Sequence, residues 1–397
     1  MVYMKICMIL PDHVFPPDIR VENEARALIS AGHEVHLISP NAEMKPCEEI
    51  IDGIYVHRLS NVPASFKKHE FIWNVPFPFN PIWIRKIVAI VRRHNIEVFH
   101  VHDLPLVALC ILLGKIFKIP VIFDMHENWP EAMKLWGYEM FYLPAKLLER
   151  FSIRFANLVI VVVDEQKERL LSLGVPENKI SVIMNTVVLD MFNDKSISQE
   201  LYSRLRSIFE KNFLISYIGG FNNGRGIDIL IQAMPYVIEN VENAHLLLVG
   251  DGRIREDLEN LTETLGISNN VSFVGWIDLH DVVTYIAVSD VCVIPHYTNP
   301  HIDRTIPHKL FQYMAMGKPI VSTDARPLKR IIEAEGCGII VPSGDAVAMA
   351  EAIIELNDKK LANICGQNGN SSVLDKYNWN ITSHGLCDIY NDYVGLK

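Results

Sequence analysis

Short apolar runs alternate with helical patterns along this 397-residue chain, and the alternation runs twice. In the first half the runs are Ile6–Leu10, Glu34–Ile38, Ile54–Leu59, Val98–Val101, Ile119–Phe123, Leu158–Val163 and Ile180–Met184. Helical segments such as Val21–Ser30, Ile82–Arg93, Leu106–Phe117 and Tyr142–Phe155 lie between them. Strands apolar on both faces, each followed by an amphipathic helix, bury their surfaces best as βα units in a parallel sheet covered on both sides. The rhythm restarts with Phe213–Ile218, Ala244–Val249, Val271–Phe273, Asp290–Ile294, Pro319–Val321 and Gly338–Val341. The polar stretch Asp190–Lys211 reads as a linker between the two runs. A chain this long, with 49% hydrophobic residues, supports two cores. The expected fold is therefore α/β, with two doubly wound domains at 1–190 and 211–376, a linker at 191–210 and a tail at 377–397. The tail carries Trp379, Tyr390 and Tyr393 at helix-like spacing.

Charge and cysteine usage exclude several classes. The formal net charge of −10 argues against a general nucleic-acid binder. Seven scattered cysteines, none in C-x-x-C spacing, offer no zinc knuckle or thioredoxin-like site. Their odd number and apolar settings suggest reduced, buried thiols in a cytosolic compartment. No stretch has the length of a membrane span, and the N-terminus reads as a first strand rather than a secretory leader.

In open parallel sheets, ligands bind at the carboxyl ends of the strands. Polar residues collect at four such places. Thr305-Ile-Pro-His-Lys-Leu-Phe-Gln-Tyr-Met-Ala-Met-Gly-Lys-Pro-Ile-Val321 reads as a helix running into a buried strand, with Thr305 as its cap and Pro307 in its first turn. A helix N-terminus favours an anion, and His308 and Lys309 add donors there. The segment Ser216–Ala233 reads as strand, Gly-rich loop and helix, with Gly219, Gly220 and Arg225 in the loop. Phe99-His-Val-His-Asp-Leu-Pro105 and Phe123-Asp-Met-His-Glu-Asn-Trp-Pro-Glu131 each follow a strand. They offer His102, Asp103, His126 and Glu127 as candidate catalytic residues, able to hydrogen-bond a ligand or handle a proton. His100, two positions earlier, reads as structural.

These motifs, with Val249-Gly-Asp-Gly252, Val274-Gly-Trp276, Asp18-Ile-Arg20-Val and Met184-Asn185, resemble those of retaining GT-B glycosyltransferases of family 4 over nearly the whole chain. The resemblance implies two Rossmann-like domains facing a central cleft, the first binding the acceptor and the second a nucleotide sugar. It also implies a last helix that crosses back to the first domain. Carried onto this sequence, the donor site comprises Gly219, Gly220, Arg225, Thr305, Ile306, Pro307, His308, Lys309 and Gln312. Asp18, Arg20 and Asn185 are lesser cleft contacts, with Asp18 and Arg20 at the cleft mouth. Two departures stand out. The family's paired glutamates fall on Arg304 and Gln312, and the first of its two donor-site cations is missing near Gly220-Phe221.

The implied activity is transfer of a hexose-type sugar from a nucleoside diphosphate, with retention, to a saccharide or lipid-linked acceptor in cell-surface polysaccharide assembly. No Asp-x-Asp occurs, so no metal is expected at the diphosphate, and no cofactor beyond the donor substrate. An inactive binding protein and a nucleotide-sugar epimerase are the alternatives. Two stretches interleave aromatic and basic residues: Lys67–Lys86, with Lys68, Phe71, Trp73, Phe77, Phe79, Trp83 and Arg85; and Lys134–Arg150, with Trp136, Tyr138, Phe141, Tyr142 and Lys146. Both suit an anionic membrane surface, placing the protein in the cytoplasm and peripherally on the inner face of the membrane.

Overall fold

The computed structural model describes residues 3–41, 45–60 and 79–394, with side chains through 391. It divides into two compact units, one formed by residues 1–184 and 382–397, the other by 185–381.

The first unit is built on an eight-stranded sheet in the order β3-β4-β2-β1-β5-β6-β7-β8. Its strands are β1 (Lys5–Ile9), β2 (Glu34–Ser39), β3 (Glu48–Ile51), β4 (Ile54–Arg58), β5 (Val98–His102), β6 (Val121–Met125), β7 (Leu158–Val161) and β8 (Ile180–Val182). All neighbours are parallel except β3, which pairs antiparallel with β4. That edge hairpin is absent from the sequence reading, because Glu48-Glu-Ile-Ile51 alternates too briefly to stand out. The central strands are buried on both faces, as a doubly covered parallel sheet requires. Local signals set the helix ends. The Asp18 carboxylate accepts the Val21 N–H at 2.8 Å and starts the helix Ile19–Ser30. Asn80 caps Pro81–His94, and Asn95, in the left-handed region, ends it.

The second unit has six parallel strands in the order β11-β10-β9-β12-β13-β14. These are β9 (Phe213–Ile218), β10 (Ala244–Val249), β11 (Val271–Gly275), β12 (Val291–Ile294), β13 (Ile320–Thr323) and β14 (Gly338–Val341). Its core gathers around Ile215, Tyr217, Leu230, Leu246 and Val293. Full burial of each such aliphatic side chain contributes about 1.5–3 kcal/mol.

The expected linker at 191–210 is corrected. The second unit begins at Asn185, and the segment holds a helix, Gln199–Ile208, capped by Ser198. Leu201 and Leu205 are buried, and the helix packs against Leu279–Val288. Its polar outer face misled the reading. The chain rejoins the first unit at Thr382, part-way along the helix Trp379–Val394. There Tyr390 is fully buried, with its hydroxyl 2.6 Å from His100 Nδ1.

All seven cysteines are free; five are buried, and Cys47 and Cys387 are half-buried. Among the described residues, no helix is long and apolar enough to cross a membrane. Lys67, Lys68, Phe71, Trp73 and Phe77 lie outside the described residues. Trp83 is a correction: it is fully buried in the first unit's core, because it occupies the inner face of the helix Pro81–His94.

Candidate functional site

In the first unit, the carboxyl ends of β5 and β6 and the first turn of the helix Ile19–Ser30 bring Arg20, His102 and His126 around one carboxylate, with Asp103 beside His126. Asp124, fully buried near the end of β6, is the hub. Arg20 grips it with two bonds, Nε to Oδ2 at 2.9 Å and Nη2 to Oδ1 at 2.7 Å. Such paired bonds to a carboxylate fix orientation as well as charge. His126 Nε2 lies 2.7 Å from Asp124 Oδ2, and His102 Nδ1 lies 3.1 Å from the same oxygen. The two ring nitrogens are 3.1 Å apart because they share that acceptor. On the other side of His126, Nδ1 is 3.4 Å from Asp103 Oδ2. Asp103 takes φ +57°, an uncommon but tolerated conformation for aspartate, as the chain turns off β5.

Burial and charge sort these groups. Burial alone would raise the Asp124 carboxyl, but Arg20 and His126 hold it well below the ordinary carboxylate range. Burial would also lower His126, yet Asp124 and Asp103 raise it to about 10. His102 goes the other way, to about 3, because it is buried and lies beside His100. Burial raises Asp103 to about 7, against the pull of His126. The edge therefore favours charge on His126 and disfavours it on His102 and Asp103.

Of the candidate catalytic residues, His126 and Glu127 are half-buried and Asp103 is 4% exposed. His102 is fully enclosed, in contact with Asp124. Of the two expected cleft-mouth residues, Arg20 is a correction and Asp18 serves as a helix cap. Arg20 is buried, also bonding Ile183 O at 2.9 Å and Glu24 at 2.9 Å, and Asp18 is the helix cap, bonded to His13 at 3.0 Å. An arginine in a motif read as surface-facing is drawn inward when a buried carboxylate must be neutralised. The sequence reading missed Asp124 and Glu24. The available signal was a carboxylate inside the apolar run Val121–Met125.

The second unit presents the opposite arrangement. Gly219, at the end of β9, has φ +145°, and a Cβ there would lie 2.6 Å from Lys309 Nζ. A side chain at Gly226 would collide with Pro295 O, so the loop can only close on glycine. Tyr217 donates to Gly220 O at 3.0 Å, and the Tyr313 hydroxyl accepts from Ile218 N at 3.1 Å. Lys309 Nζ sits 3.8 Å from the centre of the Tyr217 ring. Arg225 lies 3.4 Å from His296 Nε2, which is buried two residues beyond β12. Burial and the neighbouring Arg225 push the Lys309 ammonium well below its ordinary value. Among the described residues, neither Lys309 nor Arg225 has a carboxylate partner.

The helix carrying Lys309 runs His308–Ala315, with Pro307 at its cap position and no side chain capping it. The expected Thr305 cap is thus corrected. Thr305 follows a tight turn at Ile302–Arg304, and its extended backbone delays the helix start. Ile306 is buried, with its carbonyl 3.5 Å from Asn185 Nδ2. Gln312 is buried on this helix, and Arg304 turns away to donate to Pro300 O at 2.9 Å. The arrangement is two half-buried cations beside a helix N-terminus and a glycine loop, suited to an anion with several oxygens.

The model for "Glycosyltransferase Family 4" matches residues 19–191, and that for "Glycosyl transferases group 1" matches 212–359. An uncharacterized glycosyltransferase of Methanocaldococcus jannaschii is 27% identical, over 98% of each chain. The UDP-Gal:α-D-GlcNAc-diphosphoundecaprenol α-1,3-galactosyltransferase of Escherichia coli is 22% identical, over 78% of this chain and 79% of its own. Among solved structures, a sucrose-phosphate synthase from Thermosynechococcus elongatus superposes with a TM-score of 0.81 at 21% identity. That match covers 99% of this chain and 100% of the other.

Proposed function

This chain belongs to the GT-B glycosyltransferases of the family 4 type, and from that premise we propose that it moves a hexose-type sugar from a nucleoside diphosphate sugar to an acceptor hydroxyl with retention. The observation that carries the reading is the unpaired Lys309 ammonium beside Arg225 at the Gly219-Gly220 loop. Two cations without a carboxylate are unfavourable alone and favourable once a diphosphate arrives. As the sugar departs, negative charge grows on the leaving phosphate, and Lys309, Arg225 and the amides at the start of His308–Ala315 stabilise it. No metal is needed for that step, because the fixed positive potential supplies what a bridging cation would. In the first unit, His126 and Asp103 orient the acceptor hydroxyl. The departing phosphate oxygen takes its proton, so no dedicated base is required.

Turnover of a panel of nucleotide sugars in excess EDTA tests this reading. Lys309→Ala and Arg225→Ala should each lose a charge-assisted contact of about 1.5–3 kcal/mol, or roughly 10- to 150-fold in donor affinity or rate. Wild-type turnover in both variants, or activity that returns only with Mg²⁺ or Mn²⁺, defeats it. Donor binding without any turnover favours the inactive-binder alternative. The departures at Arg304 and Gln312 motivate that alternative.

The acceptor is proposed to be lipid-linked, met on the inner face of a membrane. Support comes from the segment 136–155, where Met140 is 80% exposed, Leu143 61% and Leu147 59%. Lys134 and Lys146 lie over the Tyr142 ring at 3.8 and 5.5 Å, so cations and apolar groups share one surface. Each basic residue near an anionic surface contributes about 1 kcal/mol. The seven free thiols suit a reducing compartment. Phosphatidylglycerol vesicles should retain the protein at low salt and release it at high salt. Leu143→Glu with Leu147→Glu should abolish retention, and a wild-type protein that ignores the vesicles points to a soluble acceptor.

A further inference from the structure

At the edge of the first unit's sheet, three histidines from three elements converge. His36 lies on β2, His57 on β4, and His94 in the last turn of the helix Pro81–His94. The register explains two of them. His36 pairs with Tyr55, and His57 is two residues further along β4, so both project from the same face of the sheet. The helix end then lowers His94 onto that face, with its ring centre 4.2 Å from that of His36 and 5.3 Å from that of His57. One ring nitrogen from each histidine lies within 4.8 Å of the other two.

As an apolar filler this trio is poor. His57 Nδ1 and His94 Nε2 are buried without a hydrogen-bond partner, which a leucine or valine would avoid. As a ligand set it is well prepared. His36 Nε2 is 2.8 Å from Glu34 Oε1, which fixes the proton on that nitrogen and turns the Nδ1 lone pair inward. That lone pair faces His57 Nε2 at 3.0 Å. Behind His57, Nδ1 is 3.7 Å from Glu48 Oε1. A carboxylate behind an imidazole is the arrangement that orients metal-bound histidines and raises their basicity. The cations nearby are already engaged: Lys5 with Glu34 at 3.3 Å, and Lys86 and Arg93 with Glu48 at 3.9 and 3.1 Å.

We propose that His36, His57 and His94 bind one divalent transition-metal ion, with Zn²⁺ the best fit. Three imidazoles at metal–nitrogen distances of about 2.0–2.1 Å leave a fourth tetrahedral position for water or a carboxylate. Half-exposed His94 and Glu48 give the ion an entry from solvent. The ion clips β2 and β4 to the end of the helix Pro81–His94. It takes no part in the diphosphate chemistry of the second unit, where no metal is expected, so activity in EDTA and metal binding here are separate questions.

The test uses the full chain without a polyhistidine tag, stripped with a chelator and dialysed. Calorimetric titration with ZnCl₂ should show one equivalent bound. Co²⁺ should give the visible absorption of a four-coordinate centre. Zn²⁺ should also raise the melting temperature, because it binds only the folded state. His94→Gln, at a half-exposed helix end, keeps the fold and should weaken Zn²⁺ binding at least tenfold, with loss of the cobalt spectrum. His57→Gln should do the same. A wild-type chain that binds no Zn²⁺, or a His94→Gln chain that binds it as tightly as wild type, overturns the proposal.

Discussion

The two strand-end clusters use charge in opposite ways. In the first unit, every ion of the Asp124 hub has a partner from the protein: Arg20 and His126 balance Asp124, and Asp103 faces His126. In the second unit, Lys309 and Arg225 stand side by side, and among the described residues no carboxylate meets either. A self-neutralised cluster is pre-organised and holds its side chains in place whether or not a ligand is present. An unbalanced one keeps its electrostatic gain for an incoming anion. On the proposed function, the first unit supplies orientation and the second affinity.

The largest expected effect breaks the first side of that comparison. Asp124→Ala leaves the Arg20 guanidinium and the His126 imidazolium buried without their counter-ion. It should cost about 3–5 kcal/mol in urea unfolding. A loss below about 1 kcal/mol would show that the hub is not held by charge.

The second side predicts the reverse sign. Lys309→Met removes a half-buried ammonium and keeps an apolar stem over Tyr217. Unliganded stability should stay level or rise by up to about 1 kcal/mol while donor binding falls, because an unpaired, half-buried charge costs free energy. If Lys309→Met destabilises the free protein as Asp124→Ala does, the cation has a protein partner and the contrast collapses.

A finer effect is the pH dependence of the first unit. His126 is raised from its ordinary value to about 10, so its contribution is full below about pH 6.5 and is lost as pH rises towards 10. Asp124 is depressed, so its contribution is present above about pH 4 and is lost as pH falls through its folded value. Glu24 is raised by burial to about 7 despite Arg20, so its cost is complete by then and does not confuse the alkaline limb. Urea midpoints should therefore decline between pH 7 and 10, and His126→Gln should flatten part of that decline. His13, raised to about 10 by Asp12 and Asp18 against its burial, adds to the decline, as do Cys7, Cys110, Cys292 and Cys337, whose thiols burial pushes up. An unchanged alkaline slope in His126→Gln would place the proton elsewhere.

The sequence by itself determined the architecture. Strand and helix order follows from periodicity, because a parallel sheet covered on both faces demands runs apolar on both sides, and such runs are visible residue by residue. The glycine loop and the Lys309 segment were legible for a similar reason: their chemistry is local, lying within a few residues of a strand end. Even there, the helix start slipped from Thr305 to His308, since a tight turn upstream set it. Tertiary structure alone decided the rest. Gln199–Ile208 passed for a linker because only Leu201 and Leu205 show which face is covered. Arg20 and Asp124 are 104 residues apart, and nothing in either neighbourhood shows that one neutralises the other. His36, His57 and His94 came together only through strand register and a helix end. Charge pairing and ligand clustering are set by distances in space, and those distances exist only after the chain has packed.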